Sequence, residues 1–400
     1  MNSEQQISMK IQMVDLRGQY EKIKKEVNAG IQQVIDDTAF INGPQVKNFA
    51  EELKAYTGAK YVIPCANGTD ALQIVMMGLD FKPGDEVIVP AFTYVATVEV
   101  IALLGLKPVF IDVTPDTFEL DITQLKSKLT EKTVGIVTVH LYGQCSNMDV
   151  ILEFAEMHDL KVIEDTAQAI GAVYTFNNGS TAQAGTMGDV GTTSFFPSKN
   201  LGCYGDGGAM FTNDAELAEK LRMIANHGQK RKYYHDSIGV NSRLDTMQAA
   251  ILSVKLKHLD TYSDARNKVA DRYDKAFADH PYITIPKRAA NSTHVFHQYT
   301  VKLEGVNREE FKSYLQDKGV PSMVYYPLPL HLQEAYKGYG GTVGQFPVSE
   351  KLCQQVISFP IHTEMKEEEQ EYIIKTVLSY FKHAVFSTHR PILGGSGEIS

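Results

Sequence analysis

The feature that most constrains this chain is the regular alternation of apolar runs and helical patterns between Tyr61 and Asp165. YVIPC, EVIVP, KPVFIDV, VGIVTVHLYG and KVIED are short, nearly continuous apolar runs. Between them lie TDALQIVMMGL, TYVATVEVIALLG, a stretch near DITQLKSKL, and MDVILEFAEMHDL, each with a helical pattern. A strand that is apolar on both faces must be covered on both faces, and parallel neighbours need a crossover segment to join them. The alternation therefore predicts an α/β domain with a mostly parallel sheet between helical layers. In such sheets ligands sit beyond the carboxyl ends of the strands, so the residues just after each strand carry the functional argument.

Beyond Gly188 the pattern changes. VGTTSFF reads as a strand, PSKNLGCYGDGG as a glycine-rich turn and AMFTN as another strand. A charged helical region is expected from Asp245 to about Asp279, and the stretch from Pro281 to Lys382 reads as a smaller α+β domain containing QYTVKL. The 400 residues accommodate two domains with separate cores. They divide into a flexible leader at 1–14, a large domain at 15–255, a small domain at 256–384 and a tail at 385–400. The tail, within VFSTHRPILGGSGEIS, has the composition of a linker.

A net charge of −9 argues against broad capture of nucleic acid or of an anionic membrane. The start, MNSEQQISMK, lacks the basic and apolar regions of a signal peptide, and the most apolar stretch is broken by Glu99, Gly105 and Pro108. Cys65, Cys145, Cys203 and Cys353 are scattered and form no CxxC pair, so neither a disulfide framework nor a zinc site is expected. His294 and His297 have no acidic or cysteine partner nearby in sequence, so no metal is expected there either. The expectation is a cytoplasmic protein free of nucleic acid and membrane.

Three places along the chain carry chemistry. Asn67-Gly68-Thr69-Asp70 follows a strand and opens a helix, where free amides and the helix dipole favour an anion, although a plain cap would look the same. Asp165 ends KVIED on the ligand edge. A protonated pyridine nitrogen at about 4 Å would gain roughly 4 kcal/mol at an effective dielectric of about 20, about three pK units, although a cap or surface ion pair is as common a role. Lys199 lies in SFFPSKNLG among small residues. It could join a carbonyl cofactor as a Schiff base, provided burial or a cationic neighbour lowers its proton affinity; by itself it is an ordinary loop lysine. Ser194 is placed to offer a hydroxyl to the same anion as Thr69.

A phosphate-type helix start, a strand-end carboxylate and a loop lysine, in that order, suit a pyridoxal-phosphate (PLP) site. NGTDAL, PAFTYVAT, VIEDTAQA, SFFPSKNLGCYGDGGA, HGQ, GVNSRLDTMQAAIL and YYPLPLHLQEAY resemble the DegT/DnrJ/EryC1/StrS family of nucleotide-sugar aminotransferases, from about Val14 to Phe381. The resemblance implies the aspartate-aminotransferase architecture (fold type I), with a large PLP domain and a smaller C-terminal α+β domain. It also implies catalytic roles for Lys199, as Schiff-base lysine and proton shuttle, and for Asp165, as partner of the ring nitrogen. Gln168 would bond the phenolic oxygen, Tyr94 would stack on the ring, and Gly68, Thr69 and Ser194 would hold the phosphate. Asn241 would reach the phosphate from a neighbouring subunit, implying a homodimer with shared sites. Arg243, His227, Gln229, Tyr326 and His331 would line the sugar-nucleotide pocket.

The resemblance further implies L-glutamate as donor and a nucleotide-linked keto-sugar as acceptor. CANGTDALQIV and LYGQC resemble the transaminases that aminate C3 of a UDP-2-acetamido-2-deoxy-3-keto-hexuronic acid in O-antigen synthesis, and Arg243 would pair with the uronate carboxylate. Alternatives are a 3- or 4-aminotransferase for a dTDP-keto-6-deoxyhexose and a non-catalytic PLP-binding regulator. The family's dehydratase branch carries His in place of the lysine, so Lys199 argues against it. Tyr325 replaces a usual His, Glu334 a frequent Pro and Thr166 a usual Ala.

Overall fold

The structure, a computed structural model, describes residues 10–387, with side chains through Lys382. Of the expected leader and tail, residues 1–9 and 388–400 lie outside the described residues. Within the leader, Ile11 is buried in the small domain's core and the Met13 carbonyl accepts from the Ile361 amide at 3.4 Å.

Seven strands form the main sheet: β1 (Tyr61–Cys65), β2 (Glu86–Pro90), β3 (Lys107–Ile111), β4 (Thr133–Val139), β5 (Lys161–Asp165), β6 (Val190–Ser194) and β7 (Gly208–Thr212). Their spatial order is β1-β7-β6-β5-β4-β2-β3. The pairs β2–β3, β2–β4, β4–β5 and β5–β6 are parallel, while β7 runs antiparallel to both β6 and β1. Six strands thus point the same way, and their carboxyl ends share one edge.

The period-2 alternation of side chains distributes each strand between two cores. Ile63, Val87, Val89, Val137, Ile163 and Met210 face one side, where they pack beneath α3 (Gly68–Gly78), α4 (Ala96–Leu103) and α6 (Ala215–Ala225). On the other side Ile88, Ile136 and Val162 meet α5 (Met148–Met157), and Val62, Ala209 and Phe211 meet α2 (Pro44–Thr57) and α7 (Thr246–Leu256). The N-terminal α1 (Leu16–Asp36) lies on α7 through Ile23 and Val27.

The smaller unit is an antiparallel sheet of β8 (Ile283–Thr284), β9 (Tyr299–Leu303) and β10 (Val356–Phe359). It packs with α8 (Leu259–Phe277), α9 (Arg308–Asp317) and α10 (Glu367–Ser387) around Tyr273, Phe277, Phe311, Phe359 and Phe381.

Local details differ from the sequence reading. The continuous helix expected over Asp245–Asp279 breaks at Lys257–His258, where α7 ends on the large core and α8 begins toward the small one. DITQLKSKL yields a short 3-10 segment, capped by its first residue Asp121 through the Thr123 amide, and one α-turn, Leu125–Lys128. The strand expected to run through VHLYG stops at Val139. Tyr142 then adopts φ 59°, a left-handed conformation that no strand continues through.

Among the described residues no helix is long and apolar enough to cross a membrane.

Candidate active site

The carboxyl edge of the main sheet opens onto a cavity of about 720 Å³. At its β1 side, Asn67 caps α3 by accepting from the Asp70 amide at 2.8 Å. The Gly68 and Thr69 amides, one residue earlier in the turn, have no carbonyl four residues back within the helix. A Cβ on Gly68 would stand 2.7 Å from the Ser194 Cβ, and one on Gly208 would stand 2.5 Å from the Asn67 carbonyl carbon. Glycine at both positions draws α3 and β6 together, so that Gly68, Thr69 and Ser194 line one concave corner. Two amides, two hydroxyls and a helix N-terminus make that corner a cradle for a phosphate.

Asp165 ends β5 in the middle of the cavity wall and is 7% exposed. Its Oδ2 accepts from the Thr97 hydroxyl at 2.9 Å and its Oδ1 from the Ala167 amide at 3.1 Å. Thr97 went unnoticed in the sequence. The only sign of it was its place one helical turn after Tyr94 in TYVAT.

Lys199 enters from the loop joining β6 to β7, which is held from three sides. The Lys199 amide donates to the Phe196 carbonyl at 2.8 Å. Next to it, the Asn200 side chain donates to the Val295 carbonyl at 2.9 Å and its oxygen faces His297 Nδ1 at 3.3 Å. From α7, Gln248 accepts from the Tyr204 amide at 2.8 Å, and the buried Lys255 ammonium donates to the Gly202 carbonyl. Burial lowers the Lys199 ammonium pKa to about 8, with Asp165 pulling the other way. The buried His297 imidazole is pushed well down by its own burial and by the charges of Lys199 and Arg266. A free amine within reach of neutral pH is the state that nucleophilic and proton-transfer chemistry needs.

Gln168 is buried with its Oε1 accepting from the Tyr142 amide at 2.8 Å and its Nε2 donating to the Tyr326 hydroxyl at 3.1 Å. The left-handed turn at Tyr142 is what aims that amide at Gln168. The second hydrogen on Nε2 is available to a phenolic oxygen. Tyr94, 54% exposed, offers a flat apolar surface at the cavity, its ring 6.1 Å from that of Tyr326. Thr93, also on the lining, keeps a buried hydroxyl that has no hydrogen-bond partner among the described residues. Tyr325, Gln298 and His297 complete the wall from the small domain; sequence reasoning set Tyr325 where relatives have a sugar-contacting His, passed over Gln298 and assigned His297 to packing.

The remaining candidates lie elsewhere. Asn241 is exposed and bridges to Asn226, while Arg243 lines a separate surface pocket with Asn42, Asn226 and Ser242. The His227 carbonyl faces His235 Nδ1 at 2.8 Å, and Gln229 accepts from the Tyr233 amide at 3.0 Å. None of these four lines the cavity of its own chain. The run Lys230–Lys232 forms a protruding hairpin, with Arg231 lying 3.6 Å over the Tyr234 ring. His331 is 0% exposed, held by Glu350 at 3.1 Å and packed against Phe110 and Phe346. The expectation that His331 lines the pocket does not match this geometry, because its ring belongs to an apolar cluster behind the cavity wall.

The donor set suits PLP: an anion cradle, a carboxylate for a ring nitrogen, an aromatic face, an amide for a phenolic oxygen and a lysine held near neutrality. The family model described as the DegT/DnrJ/EryC1/StrS aminotransferase family matches residues 21–378. A "Pleiotropic regulatory protein" of Geobacillus stearothermophilus is 46% identical over 94% of this chain and 100% of its own. The UDP-2-acetamido-2-deoxy-3-oxo-D-glucuronate aminotransferase of Pseudomonas aeruginosa is 47% identical over 88% of this chain and 95% of its own. Among solved structures, S. venezuelae DesV in complex with a ketimine intermediate superposes with a TM-score of 0.89, at 38% identity over 93% of this chain and 98% of its own. The chain belongs to the DegT/DnrJ/EryC1/StrS aminotransferase family and is a PLP-dependent aminotransferase.

Proposed function

We propose that this enzyme moves an amino group from L-glutamate to C3 of a UDP-2-acetamido-2-deoxy-3-keto-hexuronic acid, for surface polysaccharide such as O-antigen. We also place it in the cytoplasm as a homodimer whose two active sites are shared. The observation that carries the substrate is the likeness to the Pseudomonas aeruginosa aminotransferase, which acts on a UDP-linked 3-oxo-glucuronate and spans nearly the same length. The shared site is supported by geometry. Neither Asn241 nor Arg243 lines the cavity of its own chain, and Arg243 lines a separate surface pocket instead.

Bound PLP supplies an electron sink for the carbanionic stages of transamination. The chain's own residues do the rest. Gly68, Thr69 and Ser194 anchor the phosphate, and Asp165 keeps a proton on the ring nitrogen. Gln168 donates to the phenolic oxygen, and Tyr94 covers one ring face. Lys199, its proton affinity lowered, would take the proton from the donor's α-carbon and hold it for return. In the second half-reaction the same amine works in reverse on the keto-sugar. The partner subunit's Arg243 then pairs with the uronate carboxylate through its planar fork of donors.

The test is the visible absorption of the PLP-loaded protein before and after excess L-glutamate, with Lys199→Ala alongside. The wild type should show a band that glutamate bleaches, and Lys199→Ala should not. Turnover with the UDP-uronate should then exceed turnover with a dTDP-keto-6-deoxyhexose. A protein that takes up PLP but turns over no keto-sugar would return the regulator reading, and a protein that takes up no PLP would overturn both.

A further inference from the structure

We propose that Thr97 is a positioning residue for the cofactor's ring nitrogen, acting through Asp165. The inference rests on the reading that Asp165 is the partner of that nitrogen.

Three observations carry it. Asp165 is a nearly buried carboxylate whose two recorded donors are neutral groups, the Ala167 amide and the Thr97 hydroxyl, one on each oxygen. The amide sits two residues away on the same turn and comes with the fold of β5. The hydroxyl comes from a different element, 68 residues distant in sequence, and is 0% exposed. Thr97 also makes no local use of its donor. It lies in the first turn of α4, whose cap residue Val95 makes no side-chain cap bond, and it spends the hydroxyl on Asp165.

The placement links two contacts to one ring. Thr97 is one turn after Tyr94, and its amide reaches back to the Tyr94 carbonyl at 3.4 Å. The same turn therefore sets the aromatic surface beside the ring and the carboxylate at its nitrogen. A donor on Oδ2 from a separate element holds the carboxylate aimed at the ring nitrogen, where its charge stabilises the nitrogen's proton. It also removes the carboxylate's freedom to rotate, since both oxygens are tied.

The experiment uses the PLP-loaded enzyme with Thr97→Val, which keeps the shape and loses the hydroxyl, and Thr97→Ser, which keeps the hydroxyl. PLP affinity of the apo-protein and the midpoint pH of the visible band are read together, with the apo-protein's Tm as a control for folding. Thr97→Val should bind PLP about tenfold more weakly and move the band's midpoint upward by about 0.5 to 1 pH unit, while Thr97→Ser stays close to wild type. The midpoint rises because a carboxylate free to turn from the ring nitrogen stabilises its proton less, and the less charged ring leaves the lysine-derived nitrogen more basic. A Thr97→Val enzyme with wild-type affinity and midpoint overturns the proposal. So does one that only loses apo-protein Tm, because that is a packing effect. Asp165→Asn, run beside it, separates the two readings. If that variant leaves the band unchanged while wild type binds PLP, the reading of Asp165 falls and the inference falls with it.

Discussion

The edge of the main sheet and the surface segment from Asn226 to Arg243 are both rich in residues suited to ligand binding, yet they are built in opposite ways. At the sheet edge most candidates are tied to a second element: Gly68 to Ser194, Asp165 to Thr97, Gln168 to Tyr142, and the lysine loop to α7 and the Val295–Gln298 segment. On the surface segment the Gln229–Tyr233 and His227–His235 bonds stay within the segment, although Ser242 accepts from the Ala66 amide at 3.0 Å, and Tyr233 is 78% exposed. A preorganised edge suits a cofactor that stays. An exposed, basic and aromatic segment suits a contact that is completed from outside the chain. The contrast separates a cavity built within one chain from a surface segment whose proposed role depends on a second copy.

The largest expected effect tests the edge. Lys199→Ala should lose at least about 10³-fold in turnover with PLP still bound, as measured by glutamate-dependent formation of 2-oxoglutarate. An active variant would mean that the cavity's lysine is not the reacting amine.

The next tests the surface. Lys199→Ala and Arg243→Ala subunits, each nearly inactive, should regain about a quarter of wild-type activity when unfolded and refolded as a mixture, since half the dimers are mixed and each has one intact site. No recovery would return Arg243 to its own chain and erase the contrast.

A smaller effect sharpens where the edge ends. His331→Asn should lower stability by about 1–3 kcal/mol, because it disturbs a buried bond to Glu350, and leave KM for the keto-sugar unchanged. A rise in KM at unchanged stability would put His331 back in the substrate pocket.

The smallest is a pH effect on the apo-protein. The native Lys199 ammonium releases its proton near pH 8 and the unfolded one near 10.5. Between those values the unfolded chain holds the extra proton, so stability rises with pH across that window. Lys255, lowered to about 8 mainly by burial, adds a slope of the same sign. Urea midpoints from pH 7.5 to 9.5 should show the rise, and Lys199→Met and Lys255→Met should each flatten it. An unchanged slope in Lys199→Met would mean that the amine is not held at lowered proton affinity.

Much of the edge was legible because its chemistry sits in contiguous motifs right after strands. NGTD, VIED and SFFPSKN announce a capped helix start, a strand-end carboxylate and a loop lysine, each within a few residues. Thr97, Tyr142 and His297 were not legible in that way. Their partners lie 68, 26 and 97 residues away, and no local pattern marks a hydroxyl, an amide or an imidazole for such a meeting. His331 misled for the opposite reason. Its surroundings in YYPLPLHL resemble a binding segment, but Phe110 and Phe346, distant in sequence, enclose its ring.

By itself the sequence determined the layering, the parallel core and the order of the candidate residues along the sheet edge, because periodicity and strand-end position are local properties of a chain. Only the tertiary structure decided which groups share a hydrogen bond, which face of each strand meets which core, and that the surface segment turns away from its own cavity. Those outcomes depend on elements far apart in sequence converging at hydrogen-bond distance, and convergence is a property of packing that no single stretch encodes.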